Sequence, residues 1–445
     1  MLSPFTAHLH ARHAIPRWFP RIAVATLVGV LYTTASALEA PLTLPAAQQL
    51  AIERSRQLAA KDFAATASRE MGIAAGQLPD PVLKLGIDSL PIEGPDRFSL
   101  TRDFMTQRRI GVVQDVTRAD KRRLRAERFE READKSVAEK TAATAAIQRE
   151  TALSWVDRYY AEAMAAVIAD QASQAKLEIQ AAEGAYRAGR GRQSDIFNAR
   201  SALVAIDDRA SEIGRRIRSA KAMLARWVGN AAELPLAGKP DIDAVALDAS
   251  TLETQLNHHP QLAVLAKLEE IAATEAKLAQ ANKQADWSVE LAYEQRGPAY
   301  SNMVSIGVAI PLQWDQKNRQ DRELSAKLAN LEQARAERED TLRAHVAEIR
   351  SMLNEWENNR ERHVRYEREF IPLANASTGA AIAAYRGGKA TLPDVLAARR
   401  NEIDVRLKAL ELEAETARLW AQLNFLFPHD GAAAHSTTWM NQESK

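Results

Sequence analysis

The sequence contains no cysteine among its 445 residues, which excludes disulfides, thiolate metal sites, a cysteine nucleophile and a lipidated cysteine. Aromatic residues make up only 6%, low for a large globular core, while Ala, Glu, Arg and Leu dominate as in long-helix proteins. The 59 basic and 58 acidic residues nearly cancel, so nucleic acid is not indicated as a partner. Beyond the N-terminal segment no stretch reaches ~18 apolar residues, so we expect no transmembrane helix in the mature chain.

The N-terminus has the pattern of a targeting segment. Arg12, Arg17 and Arg21 precede the apolar run IAVATLVGVLYTTASA, and Ala35-Ser36-Ala37 has the small-x-small form of a cleavage site. We therefore predict a signal peptide over residues 1–37 and export of the mature chain. The alternative is an N-terminal membrane anchor, for which the apolar run is short.

One motif occurs twice in the chain. The stretch AYRAGRGRQSDIFNAR, Ala185 to Arg200, returns as AYRGGKATLPDVLAAR, Ala384 to Arg399. Four residue types recur at one constant offset: Tyr186, Gly189, Asp195 and Arg200 match Tyr385, Gly388, Asp394 and Arg399.

Other segments repeat in the same order. RRIGVVQDV around Gly111 matches VSIGVAIPL around Gly307, and two helical openings end in the strand-like PDPVLKLGI and ADWSVELAY. Each half therefore reads helix, strand, strand, very long helix, turn, helix. The predicted divisions are, in chain order, a first repeat at 38–229, a linker at 230–250, a second repeat at 251–427 and a polar, mobile tail at 428–445.

The helical runs are exceptionally long. Residues 112–183 and 312–371 contain no Gly or Pro, either of which interrupts a helix. A helix of about seventy residues spans roughly 100 Å. The opening helix Leu44–Gln77 and the helix after the first copy of the motif, Asp195–Val228, would each span ~50 Å. Two half-length helices stacked end to end would match one long helix. An ordinary coiled coil is the alternative to a closed helical wall.

The strands alternate in polarity. In WSVELAYE, Trp287, Val289, Leu291 and Tyr293 face one way and the intervening residues the other. A soluble sheet packed on helices would show this pattern, and so would a transmembrane barrel. One chain offers only four such strands, so a barrel would have to close by oligomerisation, and three copies would supply twelve.

Together the signal peptide, the duplicated unit and the YxxGxxxxxD turn resemble the TolC family of outer-membrane efflux proteins. The resemblance extends from about Leu42 to Leu426. It implies a mainly α-helical chain with a membrane β-barrel: a homotrimer with twelve strands in outer-membrane lipid and an α-helical periplasmic tunnel, in a Gram-negative bacterium. It also implies a passive exit duct, with a periplasmic adaptor (membrane fusion protein) and an inner-membrane RND pump as partners.

In this family the two motifs form the periplasmic tips. Gly189 and Gly388 suit the reversal between antiparallel helices. Ser194 or Asp195 in the first copy, and Thr391 with Pro393 in the second, suit the start of the returning helix. By the resemblance, the tip and adaptor-docking residues are Tyr186, Arg187, Gly189, Arg190, Arg192, Asp195, Tyr385, Arg386, Gly388, Lys389 and Asp394.

Three of these residues are candidates for a tunnel gate: Asp195, Tyr385 and Asp394. A helix cap is the competing role for Asp394. Where some family members carry a second Asp one turn later, this chain has Ala397, so a second acidic ring is not expected.

The segment from Leu78 to Glu127 resembles the subgroup that serves heavy-metal RND pumps, the CusC- and CzcC-like proteins. The cargo this implies is copper or silver, or zinc, cobalt or cadmium. The sequence itself predicts no resident metal and no cofactor. His258-His259 precedes Pro260, and we interpret it as a helix start rather than a metal ligand.

Enzyme motifs are missing: the sequence has no HExxH, GxSxG or GxxxxGK[ST], so we expect no catalysis. Two alternative functions stay open: a duct of the same fold for organic toxicants or for type I protein secretion, and a structural coiled-coil protein of the cell envelope.

Overall fold

The computed structural model describes residues 40–245, 247 and 250–429. The predicted signal peptide and residues 430–445 of the predicted tail lie outside that part of the chain. The elements run in the order α1 (Leu44–Arg54), α2 (Arg56–Ala75), β1 (Val82–Asp88), β2 (Gln107–Val116), α3 (Ala119–Arg187), α4 (Gln193–Val228), α5 (Leu252–Leu256), α6 (Pro260–Ala281), β3 (Trp287–Gln295), β4 (Met303–Ala309), α7 (Gln320–Arg365), α8 (Ile371–Arg386) and α9 (Leu392–Asn424). The predicted order of helices and strands, repeated once, is confirmed.

The first repeat is organised along α3, a helix of 69 residues and therefore roughly 100 Å. Helix α2 lies against one part of it, where Lys61 pairs with Glu139 at 2.6 Å. Helix α4 lies against the other part, where Arg200 pairs with Glu183 at 2.8 Å. The continuous rod is therefore flanked by a divided one, as the helix lengths predicted.

The opening helix of each repeat is itself divided. The sequence predicted the helix start at Pro260 of the second repeat but not the division in the first. Ser55 ends α1 and starts α2, and its hydroxyl accepts from the Leu58 N–H at 3.3 Å. A serine hydroxyl competes for backbone N–H groups and therefore favours a cap over a helix interior. In the second repeat the run from Leu252 to Gln284 breaks at residues 257–259, before Pro260.

The second long helix continues past the Gly- and Pro-free run that ends at Ile371. A π-helical turn, Tyr366–Phe370, joins α7 to α8 just before Pro372. Proline has no N–H and its ring crowds the carbonyl four residues earlier, so a regular helix would break or kink there. The wider π-helical turn accommodates the proline ring, so the helical rod continues to Arg386.

The four strands form one antiparallel sheet in the order β1-β2-β3-β4. Leu85, Ile110 and Tyr293 stand side by side across three strands. All three are exposed, at 70%, 49% and 44%. The opposite face is polar, with Arg109 paired to Glu290 at 2.6 Å. The predicted alternation is confirmed, although β4 ends at Ala309, short of the predicted Leu312.

The main core lies where both repeats meet the segment between them. Three tryptophan indoles donate to backbone carbonyls there: Trp155 to Leu42 at 3.1 Å, Trp356 to Ile242 at 3.2 Å and Trp420 to Ala244 at 3.1 Å. An indole N–H that is buried needs such a partner. The predicted linker is therefore tied to α7 and α9 of the second repeat. Arg158 of α3 ties it to the first repeat by donating to the Ala232 carbonyl at 2.6 Å.

No helix within the described part of the chain combines the length and the apolar character needed to cross a membrane.

Candidate docking and gating site at the paired helical turns

The two repeated motifs form the same backbone turn. Gly189 and Gly388 have φ of +69° and +68°, a region that glycine enters without a steric penalty. The closing hydrogen bonds also correspond: Arg190 N–H donates to the Ala185 carbonyl at 2.9 Å, and Lys389 N–H donates to the Ala384 carbonyl at 2.8 Å. This bond from the residue after the glycine, with the one from the glycine itself, defines a Schellman turn.

Each turn is followed by an aspartate that caps the returning helix. Asp195 Oδ2 accepts from the Arg192 N–H at 3.0 Å, and Asp394 Oδ2 accepts from the Thr391 N–H at 2.8 Å. The Thr391 hydroxyl adds a second hydrogen bond to Asp394 at 2.7 Å. These hydrogen bonds stabilise the ionised carboxylate and therefore lower the pKa of Asp394. The bond from the Thr391 hydroxyl has the larger effect, and the bond from the Thr391 N–H has the smaller one.

A small apolar cluster holds the two turns at one end of the bundle. Ala182 and Ala199 of the first hairpin pack there with Leu392 and Val395 of the second, and all four are buried. Tyr385 packs against this cluster. Its counterpart Tyr186 is not a member of this cluster and is 47% exposed. The structure thus brings the two motifs together and gives the two tyrosines different surroundings.

The predicted cations surround these turns and are exposed. They are Arg187, Arg190, Arg192, Arg386 and Lys389. Arg187 Nε donates to the Glu183 carbonyl at 3.3 Å. In the part of the chain that the structure describes, none of the five forms an ion pair. Their charges are therefore available to a partner.

The gate candidates are engaged locally within the single chain. Asp195 and Asp394 cap their helices, the role that competed with a place on the bore. No hydrogen bond joins the Tyr385 hydroxyl to either aspartate among the described residues. Ala397 is exposed. The gating role of these residues stays a prediction.

An ion network between the hairpins escaped the sequence interpretation. Arg399 Nε lies 3.3 Å from Glu178 Oε1 of α3, and its Nη1 lies 3.3 Å from Glu402 Oε2. Arg406 contacts the other oxygen of Glu402 at 3.0 Å. Burial raises the pKa of the Glu178 carboxyl; the Arg399 charge opposes this and Glu402 adds to it. The recurrence of an arginine at position 399 can be seen in the sequence. Its partner Glu178, 221 positions earlier, cannot be predicted from it.

The histidine pair behaves as a helix start. His259 Nδ1 accepts from the Gln261 N–H at 3.3 Å at the beginning of α6. Burial lowers the pKa of His259 to about 4, with His345 and Arg149 adding to the effect, so its ring is neutral at pH 7. No group of three or more potential metal-ligating side chains occurs among the described residues.

Comparison with known proteins shows which fold this is. No family model and no curated protein matches the sequence. Among solved structures, CusC is 15% identical with a TM-score of 0.74, covering 87% of this chain and 92% of that one. The outer-membrane protein VceC of Vibrio cholerae is 18% identical with a TM-score of 0.70, covering 86% and 95%. The CmeC outer-membrane channel of Campylobacter jejuni is 13% identical with a TM-score of 0.72, covering 87% of each chain. The chain therefore has the fold of these proteins, and the resemblance to the TolC family is confirmed at that level.

Proposed function

We propose, from the fold that this chain shares with outer-membrane channels, that it forms an exit duct in the outer membrane of a Gram-negative bacterium. The observation that carries this proposal is the sheet face with Leu85, Ile110 and Leu291, which are 70%, 49% and 55% exposed. An apolar face of this kind needs lipid or protein to cover it. The opposite polar face would line the bore, and the helices would extend through the periplasm.

Closure of the sheet requires further copies of the chain. Strands β1 and β4 each have one unpaired edge, and open edges are not tolerated in lipid. Three copies of four strands give twelve, above the roughly eight that a barrel needs. The proposed active form is therefore a homotrimer.

Membrane fractionation tests this proposal. We expect the mature chain in the outer-membrane fraction, extracted only by detergent, as a trimer in light scattering. A soluble monomer would overturn the duct and favour the structural coiled-coil alternative.

The paired turns are the proposed docking surface for a periplasmic adaptor, which would couple the duct to an inner-membrane RND pump. Five exposed cations around two short turns support this role, since a helix reversal needs none of them. Asp195, Tyr385 and Asp394 are the proposed gate.

Charge reversal tests the docking proposal. The double variant Arg187→Glu and Arg386→Glu should lose cross-linking to the adaptor and remain a trimer. The matched control, Arg187→Lys with Arg386→Lys, keeps the charge and should cross-link like the wild type. Undiminished cross-linking of the glutamate variant would contradict the assignment.

We further propose heavy-metal cations as the cargo. Support comes from the sequence resemblance of the segment from Leu78 to Glu127. A deletion strain should become sensitive to one or more of copper, silver, zinc, cobalt and cadmium, and the intact gene should restore growth. Sensitivity to dyes, detergents and antibiotics alone would leave the duct proposal intact and contradict the metal cargo. A secretion defect alone would indicate protein export.

A further inference from the structure

The apolar face of the sheet carries a single charged residue among its strand positions. Arg108 stands beside Ile87 of β1 and Gln295 of β3, on the face that also bears Ile110 and Val112. Residues two apart on a strand share a face, so this placement follows from the register.

The guanidinium of Arg108 has no partner in the described part of the chain. Its Nε atom is shielded from solvent and makes no hydrogen bond there, and no ion pair forms with it. Its neighbour Arg109, on the polar face, is paired with both Glu290 at 2.6 Å and Asp88 at 3.5 Å. The chain therefore neutralises one arginine and leaves the adjacent one unmatched.

Arg108 lies at the end of the sheet farther from the helices. Helix α2 leads into the Val82 end of β1, and β2 runs from Gln107 beside the connecting loop to Val116 beside α3. Arg108 is the second residue of β2 and therefore stands near the loop of residues 89–106. In the proposed duct this is the outward end.

A neighbouring copy of the chain is poorly placed to supply the missing anion. New strands can join the sheet only at β1 or β4, whereas β2 has β1 on one side and β3 on the other. With strands ~4.8 Å apart, a strand added at β1 would lie about 10 Å from β2.

We propose that Arg108 binds the phosphate group of an anionic lipid in the outward leaflet, whose acyl chains cover the apolar face below it. This inference rests on the proposed function. A guanidinium matches two phosphate oxygens through its planar fork. A cation on the lipid-facing side is tolerated near the interface and costly at mid-depth, which fits a position one residue from the strand end.

The experiment measures lipid A retained by the detergent-purified full-length protein, counted by native mass spectrometry after delipidation and titration with lipid A. Arg108→Gln should lower the retained lipid about tenfold, as expected for loss of a bidentate charged contact. Arg108→Lys should keep part of it. Lys84→Gln is the matched control: it removes one positive charge from the polar face and should bind like the wild type.

The outcomes separate this inference from the proposed function. Equal retention by Arg108→Gln and the wild type, both as trimers, would overturn the lipid site and leave the duct intact. Displacement of lipid A by millimolar inorganic phosphate would also overturn it, since the site would then bind a free anion. A wild-type protein outside the outer-membrane fraction would instead contradict the proposed function itself. If Arg108→Gln does not assemble, the comparison of Arg108→Lys with Lys84→Gln decides, and equal retention by these two would count against the site.

Discussion

The two helical turns share one backbone and use their side chains differently. Gly189 and Gly388 adopt the same positive φ, and an aspartate caps the helix after each of them. Yet Arg200 pairs inside its own hairpin with Glu183, whereas Arg399 reaches across to Glu178 of the other hairpin. Local hydrogen bonds fix the turn, and tertiary neighbours decide what the same residue type then does.

A second difference lies at the first position of the returning helix. Leu392 is buried at 3% exposure in the cluster between the turns, while the matching Gln193 of the first repeat is exposed. The second turn therefore contributes the first residue of its returning helix to this cluster, and the first turn does not. Substitutions at three places test this difference between the two turns.

The largest expected effect is at Leu392. Leu392→Ala should lower the free energy of unfolding by ~2–4 kcal/mol, because it leaves a cavity in the cluster. Gln193→Ala, the matched change in the first turn, should cost less than ~0.5 kcal/mol. Denaturant titration of both variants measures the difference, and similar values would contradict the asymmetry.

The next effect is at the repeated arginine. Arg399→Gln should lower the free energy of unfolding by ~1–3 kcal/mol, because Glu178 and the buried Glu402 then lose the positive charge that pairs with them. Arg200→Gln should cost less than ~1 kcal/mol, since its ion pair is exposed.

The pH dependence identifies the cause of that loss. A carboxyl whose pKa is raised in the folded state binds protons more readily there than in the unfolded chain, so acidification stabilises the fold. In the folded protein this carboxyl is Glu178, and removal of Arg399 takes away a charge that lowers its pKa. Protonation of Glu178 at lower pH should then relieve the variant more than the wild type. The loss of unfolding free energy caused by Arg399→Gln should therefore shrink between pH 7 and pH 5. A loss that is constant over this range would indicate packing rather than charge as its origin.

The smallest expected effect is at the cap of the second turn, where the Thr391 hydroxyl donates to Asp394. The matching residue of the first turn, Arg192, has no hydroxyl. The lowered pKa of Asp394 means that its contribution to stability is present above the ordinary value of 3.8 and is lost as pH falls through the lower folded value. Thr391→Val should raise that pKa towards 3.8, and Thr391→Ser should leave it low. An NMR titration of the carboxyl measures both, and an unchanged value in Thr391→Val would assign the effect to the backbone N–H alone.

How far the sequence predicted the fold depended on the range of the interactions involved. The strand alternation, the position of Gly388 and the cap at Thr391 are set by neighbours a few residues away, and these predictions were confirmed. The π-helical turn before Pro372 was not predicted, because such a turn gives no periodic signal. The break at Ser55 was missed because serine is also tolerated within helices.

The candidate site shows the same division. The sequence by itself determined the two turns, since glycine alone enters their backbone conformation freely and the capping carboxylates lie within one helical turn of the backbone N–H groups that they accept from. Only the tertiary structure decided that the turns meet at one end, that Tyr385 packs while Tyr186 stays exposed, and that Glu178 joins Arg399. Those contacts link residues about two hundred positions apart, and their formation depends on how the long helices align, which no local pattern encodes.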